Sequence, residues 1–167
     1  NPSIDCLVYD DGEFPFANLI ELRLKHTGEK DPISLIKRTP VDGVRSLVDD
    51  QIVMGKPSDN VQELDVVPSP YLMGLFDDLL QNPDLMPIIQ NVRGCPYLCS
   101  FCVSGSQGHK IRSFSYERVI SEIEYFKKNS KNHVLRFSDD NFGVVEQDIQ
   151  IAEYIRKSFD TDNYPLA

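Results

Sequence analysis

The sequence has no tryptophan, only four cysteines, and no apolar run near the roughly 18 residues that a membrane-spanning helix needs. No charged segment followed by an apolar stretch opens it, so no secretory signal peptide is indicated. Basic residues are also scarce, with 17 Lys and Arg against 26 Asp and Glu and a net charge of −9. A nucleic-acid binder presents a basic face, so nucleic acid is not an expected partner. These absences predict a cytoplasmic protein with no membrane partner.

Three of the four cysteines occupy one loop, as Cys95, Cys99 and Cys102 in a Cys-x3-Cys-x2-Cys pattern. Because this close spacing occurs without secretory features, it favours metal binding over a disulfide or isolated buried thiols. A structural zinc takes four protein ligands, and most four-iron clusters take four cysteines. Three cysteines around a four-iron cluster leave one iron open to a small molecule. The pattern therefore predicts a catalytic rather than a purely structural site.

The run from Gly94 to Cys102 resembles the cluster-binding loop of radical S-adenosylmethionine (radical SAM) enzymes, and Phe101, directly before the third cysteine, fits that pattern. The resemblance implies a 4Fe-4S cluster on Cys95, Cys99 and Cys102, with S-adenosylmethionine bound at the open iron. Reductive cleavage would then give an adenosyl radical that abstracts hydrogen from a small-molecule substrate. A flavodoxin or ferredoxin would be the reductant. The resemblance implies that Phe101 lies against the adenine end of the cosubstrate. The alternative is that Phe101 is a simple packing residue.

Asp139, Asp140 and Asn141 form the second candidate site, at the end of a predicted strand. One interpretation is a helix N-cap with first-turn acids, which the helix dipole favours. In the resembling family, the loop after the second barrel strand contacts the amino group of S-adenosylmethionine. The run from Asp139 to Phe142 is similar to the form found in cobalamin-linked members. Which of the two carboxylates would make the contact stays open.

Residues 85–167 alternate between strands and helices, which predicts an α/β fold with a parallel sheet. The expected strands cover residues 87–91 and 133–137, with a third beginning at 164. The expected helices cover residues 116–128, capped by Ser115, and 146–159. On the first helix Glu122 is expected to face solvent. Both candidate loops follow strand ends, the edge where ligand sites of parallel α/β proteins lie.

The resemblance implies the N-terminal part of a (β/α)8 barrel of the radical SAM type. A closed barrel takes about 250 residues, so 167 residues indicate a fragment with an open sheet edge and exposed apolar surface. Residues 1–26 would be the tail of a Rossmann-like domain, with a strand lacking partner strands and a helix indicated by the spacing of Phe16, Leu19, Ile20 and Leu24. Cobalamin, if bound there, would be ligated upstream of Asn1. Residues 27–84 would be a linker with a short helix and a β-hairpin turning at Asp49 and Asp50.

Two rival functions remain open at this point. The first is a non-enzymatic iron–sulfur protein that transfers electrons or senses redox state. The second is a zinc-stabilised interaction module in which His109 joins the three cysteines as the fourth ligand.

Overall fold

A computed structural model describes residues 4–58, 60–102 and 110–159. The chain divides into two compact units, Asn1–Val61 and Gln62–Ala167. The division falls within the segment predicted as a linker. What each predicted segment contributes to a larger protein stays a prediction.

The first unit contains a three-stranded antiparallel sheet in the order β1-β2-β3. Its elements are β1 (Cys6–Val8), α1 (Glu13–Lys25), α2 (Pro32–Arg38), β2 (Val44–Val48) and β3 (Gln51–Met54). The expectation that the first strand lacks a partner is wrong. Strand β1 pairs with β2, with Val8 opposite Val44. This pairing joins residues far apart in sequence, so no local pattern announces it.

The β2–β3 hairpin is confirmed at the predicted residues. Asp49 and Asp50 form its two-residue turn with φ of 50° and 60°. Left-handed backbone at both positions matches the strand twist, and Asp tolerates it better than most residues.

Helix α1 is also confirmed, but its apolar stripe is exposed. Phe16, Ile20 and Leu24 recur at helical spacing and lie on the surface of this chain. The buried residue of the helix is Pro15. The spacing therefore predicted the helix correctly without identifying the face that packs.

The second unit carries both candidate loops. After a 3-10 turn at Leu64–Val66, its elements are α3 (Asp77–Leu80), β4 (Ile88–Ile89), β5 (Val92–Arg93), β6 (Arg112–Ser113), α4 (Tyr116–Asn129), β7 (Arg136–Phe137) and α5 (Glu146–Ser158). Strands β4 and β7 pair in parallel, as predicted from the strand–helix–strand pattern. Strands β5 and β6 pair antiparallel. Sequence analysis did not predict this second pair.

Helix α4 forms the centre of the second unit's core. Val119, Ile123 and Phe126 are buried along one face, and the Ser115 hydroxyl accepts from the Arg118 amide at 3.2 Å. The prediction that Glu122 faces solvent is wrong. Its carboxylate is buried and accepts from Arg118 Nε at 2.8 Å, one turn earlier, so the charge is removed from water with a cationic partner.

The described residues of the second unit form a mixed α/β structure without a closed barrel. Ile88 on β4, together with Leu75 and Leu79, is exposed, as expected of a parallel sheet with an open edge. The strand predicted to begin at residue 164 lies outside the described residues. Across the part of the chain that is described, no helix combines the length and apolar character required to cross a membrane.

Candidate functional site

The cysteine loop begins directly beyond the parallel strand pair. Strand β4 leads into β5, and the β5–β6 ladder closes the base of residues 94–111, of which 103–109 lie outside the described residues. Gly94 has a φ of 98°, a backbone conformation that suits glycine and turns the chain into Cys95. The loop after β7 comes close because the Ser138 amide donates to the Ile89 carbonyl at 2.9 Å. The sheet therefore delivers both predicted loops to one edge.

None of the three loop cysteines is in a disulfide, and their exposures differ. Cys95 is buried, Cys99 is exposed and Cys102 is intermediate, and the Cys102 amide donates to the Cys99 carbonyl at 3.1 Å. Within the described residues, no three potential ligand side chains are gathered at a point that could hold a metal ion. Their predicted role as metal ligands stays a prediction. His109, the fourth ligand of the zinc alternative, lies outside the described residues.

Asn141 and Cys95 are two predicted site residues that the structure brings together. Asn141 Nδ2 donates to Cys95 Sγ at 2.9 Å. The prediction placed Asn141 with the S-adenosylmethionine contacts, whereas in the structure its side-chain amide reaches a cysteine sulfur. This contact joins the loop after β7 directly to the cysteine loop.

Asp139 is half-buried beneath the same contact. Its Oδ1 accepts from the Asn91 amide at 2.8 Å and from the Val92 amide at 3.0 Å. Its Oδ2 is buried without a hydrogen-bond partner among the described residues. Burial raises the pKa of Asp139, the two amides oppose that rise, and the nearby charges of Asp148 and Asp140 add to it. Asp139 thus fixes the backbone at the start of the cysteine loop through one carboxylate oxygen. The other oxygen accepts no hydrogen bond from the described residues.

Asp140 and Phe101 both point to the surface. Asp140 is exposed, and Phe101 is 90% exposed. An aromatic side chain that exposed makes little packing contact with the rest of the chain, so the packing alternative for Phe101 receives no support. Its predicted contact with adenine remains a prediction.

Sequence reasoning missed a buried polar network behind the two loops. Asn91 and Asp148 are fully buried, and Asn91 Nδ2 donates to Asp148 Oδ1. Gln147 Nε2 donates to Asn91 Oδ1 at 2.7 Å and to the Phe114 carbonyl at 2.9 Å. A weak signal exists in hindsight, because Asn91 ends an apolar strand and Asp148 lies in the first turn of an amphipathic helix. Their pairing across 57 residues has no local signature.

The same network fixes the loop after β7. Asp148 Oδ2 accepts from the Gly143 amide at 2.8 Å and from the Val145 amide at 3.0 Å. The segment that contains Asn141 is therefore held on one side by Asp139 and on the other by Asp148. This gives the Asn141 side chain a defined position.

Positive charge lies at the base of the cysteine loop. Arg93 and Arg112 are directly opposite each other in the β5–β6 ladder, and Arg93 Nε donates to Gln90 Oε1 at 2.8 Å. Like charges in opposite positions of a ladder repel.

These observations define an α/β protein with a braced cysteine loop at the carboxyl end of a parallel strand. No protein-family model matches the chain. A relative from Streptomyces tokunonensis, named cobalamin-dependent radical SAM methyltransferase TokK, is 30% identical over 164 residues, covering 95% of this chain and 23% of the relative. The 2-(S-pantetheinyl)-carbapenam-3-carboxylate methyltransferase of Streptantibioticus cattleyicolor is 32% identical over 91% of this chain and 22% of its own length.

A third relative is the anaerobic magnesium-protoporphyrin IX monomethyl ester cyclase of a Synechocystis species, 26% identical over 84% of this chain and 26% of its own length. The predicted resemblance to radical SAM enzymes, and to their cobalamin-linked members, is thereby confirmed. The chain spans less than a third of the length of each of these relatives.

Proposed function

We propose that this chain supplies the cluster-binding loop and part of the S-adenosylmethionine site of a radical SAM enzyme. The observation that carries the proposal is the Cys95-x3-Cys99-x2-Cys102 loop at the carboxyl end of β4, beside the loop that follows the parallel strand β7. The similarity to a cobalamin-dependent radical SAM methyltransferase over 95% of the chain supports it. In this proposal the second unit is the first part of a (β/α)8 barrel.

The donor set fits a 4Fe-4S cluster. Three cysteines outside any disulfide lie within eight residues of one loop, and thiolates are the usual protein ligands of iron–sulfur clusters. The buried Cys95 sulfur already accepts an amide hydrogen bond, a contact that suits a thiolate ligand. Held by these three cysteines, a cluster with one iron lacking a protein ligand would supply an electron for reductive cleavage of S-adenosylmethionine. Binding it would require the three cysteine side chains to converge.

Two further residues would hold the cosubstrate. Asp139 Oδ2 is buried and has no hydrogen-bond partner among the described residues, and a cationic amino group beside it would favour the charged carboxylate and offset the effect of burial. The exposed ring of Phe101 is open to an adenine. Asp140 is exposed on the same loop and is the alternative carboxylate.

For the whole protein we propose a methyl transfer that uses cobalamin, because two of the relatives are named methyltransferases and one of those names specifies cobalamin dependence. The relative named a cyclase supports, as the alternative, a reaction other than methyl transfer. A small molecule is the proposed substrate, a flavodoxin or ferredoxin the proposed reductant, and the cytoplasm the proposed location. No membrane or nucleic-acid partner is proposed.

The test uses the full-length protein, reconstituted anaerobically with iron and sulfide. Iron content, visible absorption and electron paramagnetic resonance are measured before and after S-adenosylmethionine is added, and deoxyadenosine release is measured after reduction. We expect Cys95→Ala, Cys99→Ala and Cys102→Ala each to lose the cluster and deoxyadenosine formation. Cys6→Ala is the matched control, because Cys6 lies on β1 in the first unit.

Each rival function has its own outcome. A cluster whose resonance does not change with S-adenosylmethionine would favour a non-enzymatic iron–sulfur protein. Bound zinc in a colourless protein would favour the interaction module. Retention of the cluster in the three loop variants would overturn the proposed ligand set.

A further inference from the structure

We propose that Asn141 sets the reduction potential of the cluster through an N–H···S hydrogen bond to Cys95; this inference rests on the proposed function. Asn141 Nδ2 lies 2.9 Å from Cys95 Sγ. Cys95 is 7% exposed, so water competes little for its sulfur. The contact assigns Asn141 to a ligand sulfur rather than to the cosubstrate.

The donor is held in place from both sides. Two positions before Asn141, Asp139 Oδ1 binds the Asn91 and Val92 amides at 2.8 and 3.0 Å. Two positions after it, the Gly143 amide donates to the buried carboxylate of Asp148 at 2.8 Å. A donor fixed by its neighbours needs little reorganisation when the charge on its acceptor changes.

The acceptor is held by the same contacts. Asn91 and Val92 precede Cys95 by a few residues, and both amides are bound by Asp139. Donor and acceptor therefore sit on two loops that one carboxylate links. The two loops thus bring donor and acceptor together without a bound cosubstrate.

The physical effect follows from charge. When one electron passes from the reductant to the cluster, the negative charge on the cysteine sulfurs increases. An N–H donor stabilises that additional charge, and hydrogen bonds to the sulfurs are among the factors that determine the potential of iron–sulfur clusters. The Asn141 amide thus favours the reduced state and makes the cluster easier to reduce.

The experiment is a potentiometric titration of the full-length, reconstituted protein, with dithionite as reductant and the reduced cluster measured by electron paramagnetic resonance. It is run without S-adenosylmethionine, so that a contact to that ligand cannot produce the shift. Asn141→Leu removes the donor at similar volume, and Asn141→Asp replaces it with an acceptor. Asn129→Leu is the control, because Asn129 ends α4 and its side-chain amide donates to the Tyr125 carbonyl instead of a sulfur.

At the potential where the unmodified cluster is half reduced, we expect the ratio of reduced to oxidised cluster to fall about tenfold in Asn141→Leu, equivalent to about 59 mV for one electron. Asn141→Asp should fall at least as far, and Asn129→Leu should not change. If the ratio of reduced to oxidised cluster in fully loaded Asn141→Leu protein stays within about twofold of the ratio in the unmodified protein, the inference is overturned. The proposed function is left standing by that result.

Failure of the unmodified protein to take up iron overturns both proposals. Loss of the cluster from Asn141→Leu alone leaves Asn141→Asp to decide by the same criterion. Loss from both variants would make Asn141 a residue of cluster assembly and would overturn its role in setting the potential.

Discussion

Removing the Asp148 carboxylate should destabilise the second unit more than most single substitutions. Asp148→Ala leaves three donors without their acceptor: the buried Asn91 Nδ2 and the amides of the exposed Gly143 and the half-buried Val145. A buried donor left unsatisfied costs about 1–3 kcal/mol, and the two amides cost less because water can reach them. Water entering the vacated space recovers part of this. We therefore expect a loss of about 2–4 kcal/mol, a substantial part of the 5–15 kcal/mol that is typical for a domain.

Urea unfolding followed by circular dichroism measures this loss. Glu146→Ala is the matched control, because Glu146 lies in the same first turn of α5 and is exposed. It should change the free energy of unfolding by less than about 1 kcal/mol. Hydrogen exchange gives a local readout, since the amides of Gly143 and Val145 should lose protection in Asp148→Ala. A cost below about 1 kcal/mol for Asp148→Ala, with both amides still protected, would refute the reasoning.

Three further predictions concern backbone conformation and charge. Gly43→Ala should destabilise the first unit by about 2–3 kcal/mol in urea unfolding, because Gly43 has a φ of 72° and a Cβ there would lie 2.5 Å from Pro15 Cγ. Gly28→Ala is the control, because a Cβ at Gly28 would have no neighbouring atom within 4 Å. This control should cost little stability. Asp50→Gly should raise the free energy of unfolding by about 0.5–1 kcal/mol, because Asp50 has a φ of 60° that glycine adopts without strain; an unchanged or lower value would contradict this. Asp139→Asn should be more stable than the unmodified protein at neutral pH, because burial raises the pKa of Asp139 above its ordinary 3.8 and ionisation therefore opposes folding. That advantage should grow as pH rises from 3.8 through the raised pKa, and a gap that narrows over this range would be inconsistent with the shift.

Local sequence signals predicted helices α4 and α5 and strands β4 and β7 of the second unit, but not strands β5 and β6. Helices α4 and α5 follow from apolar residues at helical spacing, and Ser115 caps α4 as expected. The alternation of strand and helix was enough to predict the parallel pairing of β4 and β7. Helical spacing and the order of strands and helices can be read directly from the sequence. Neither signal requires knowledge of which distant residues are in contact.

Features that depend on distant partners were not predicted. Strand β1 pairs with β2, which follows two intervening helices, and neither strand's sequence specifies its partner. Glu122 is buried because Arg118 neutralises it, whereas helical spacing alone assigned it to the solvent face. The exposed stripe of α1 shows the converse, since apolar periodicity identifies a helix without showing what covers it.

The candidate site also combines residues that the sequence singled out with contacts that depend on distant partners. The spacing of Cys95, Cys99 and Cys102 predicts an iron–sulfur cluster from the type and number of possible ligands, and this ligand set stays a prediction. The contact between Asn141 and Cys95 depends on how two loops meet at one sheet edge. The Asn91–Asp148 pair was missed because both residues are polar and fully buried, which composition alone does not predict.

The two amides held by Asp139 Oδ1 make the loops mechanically dependent on each other. A displacement of residues 139–141 must either break hydrogen bonds of 2.8 and 3.0 Å or pull Asn91 and Val92 along. A label on the segment after β7 should therefore report events at the cysteines, and a label near the cysteines should report events at that segment.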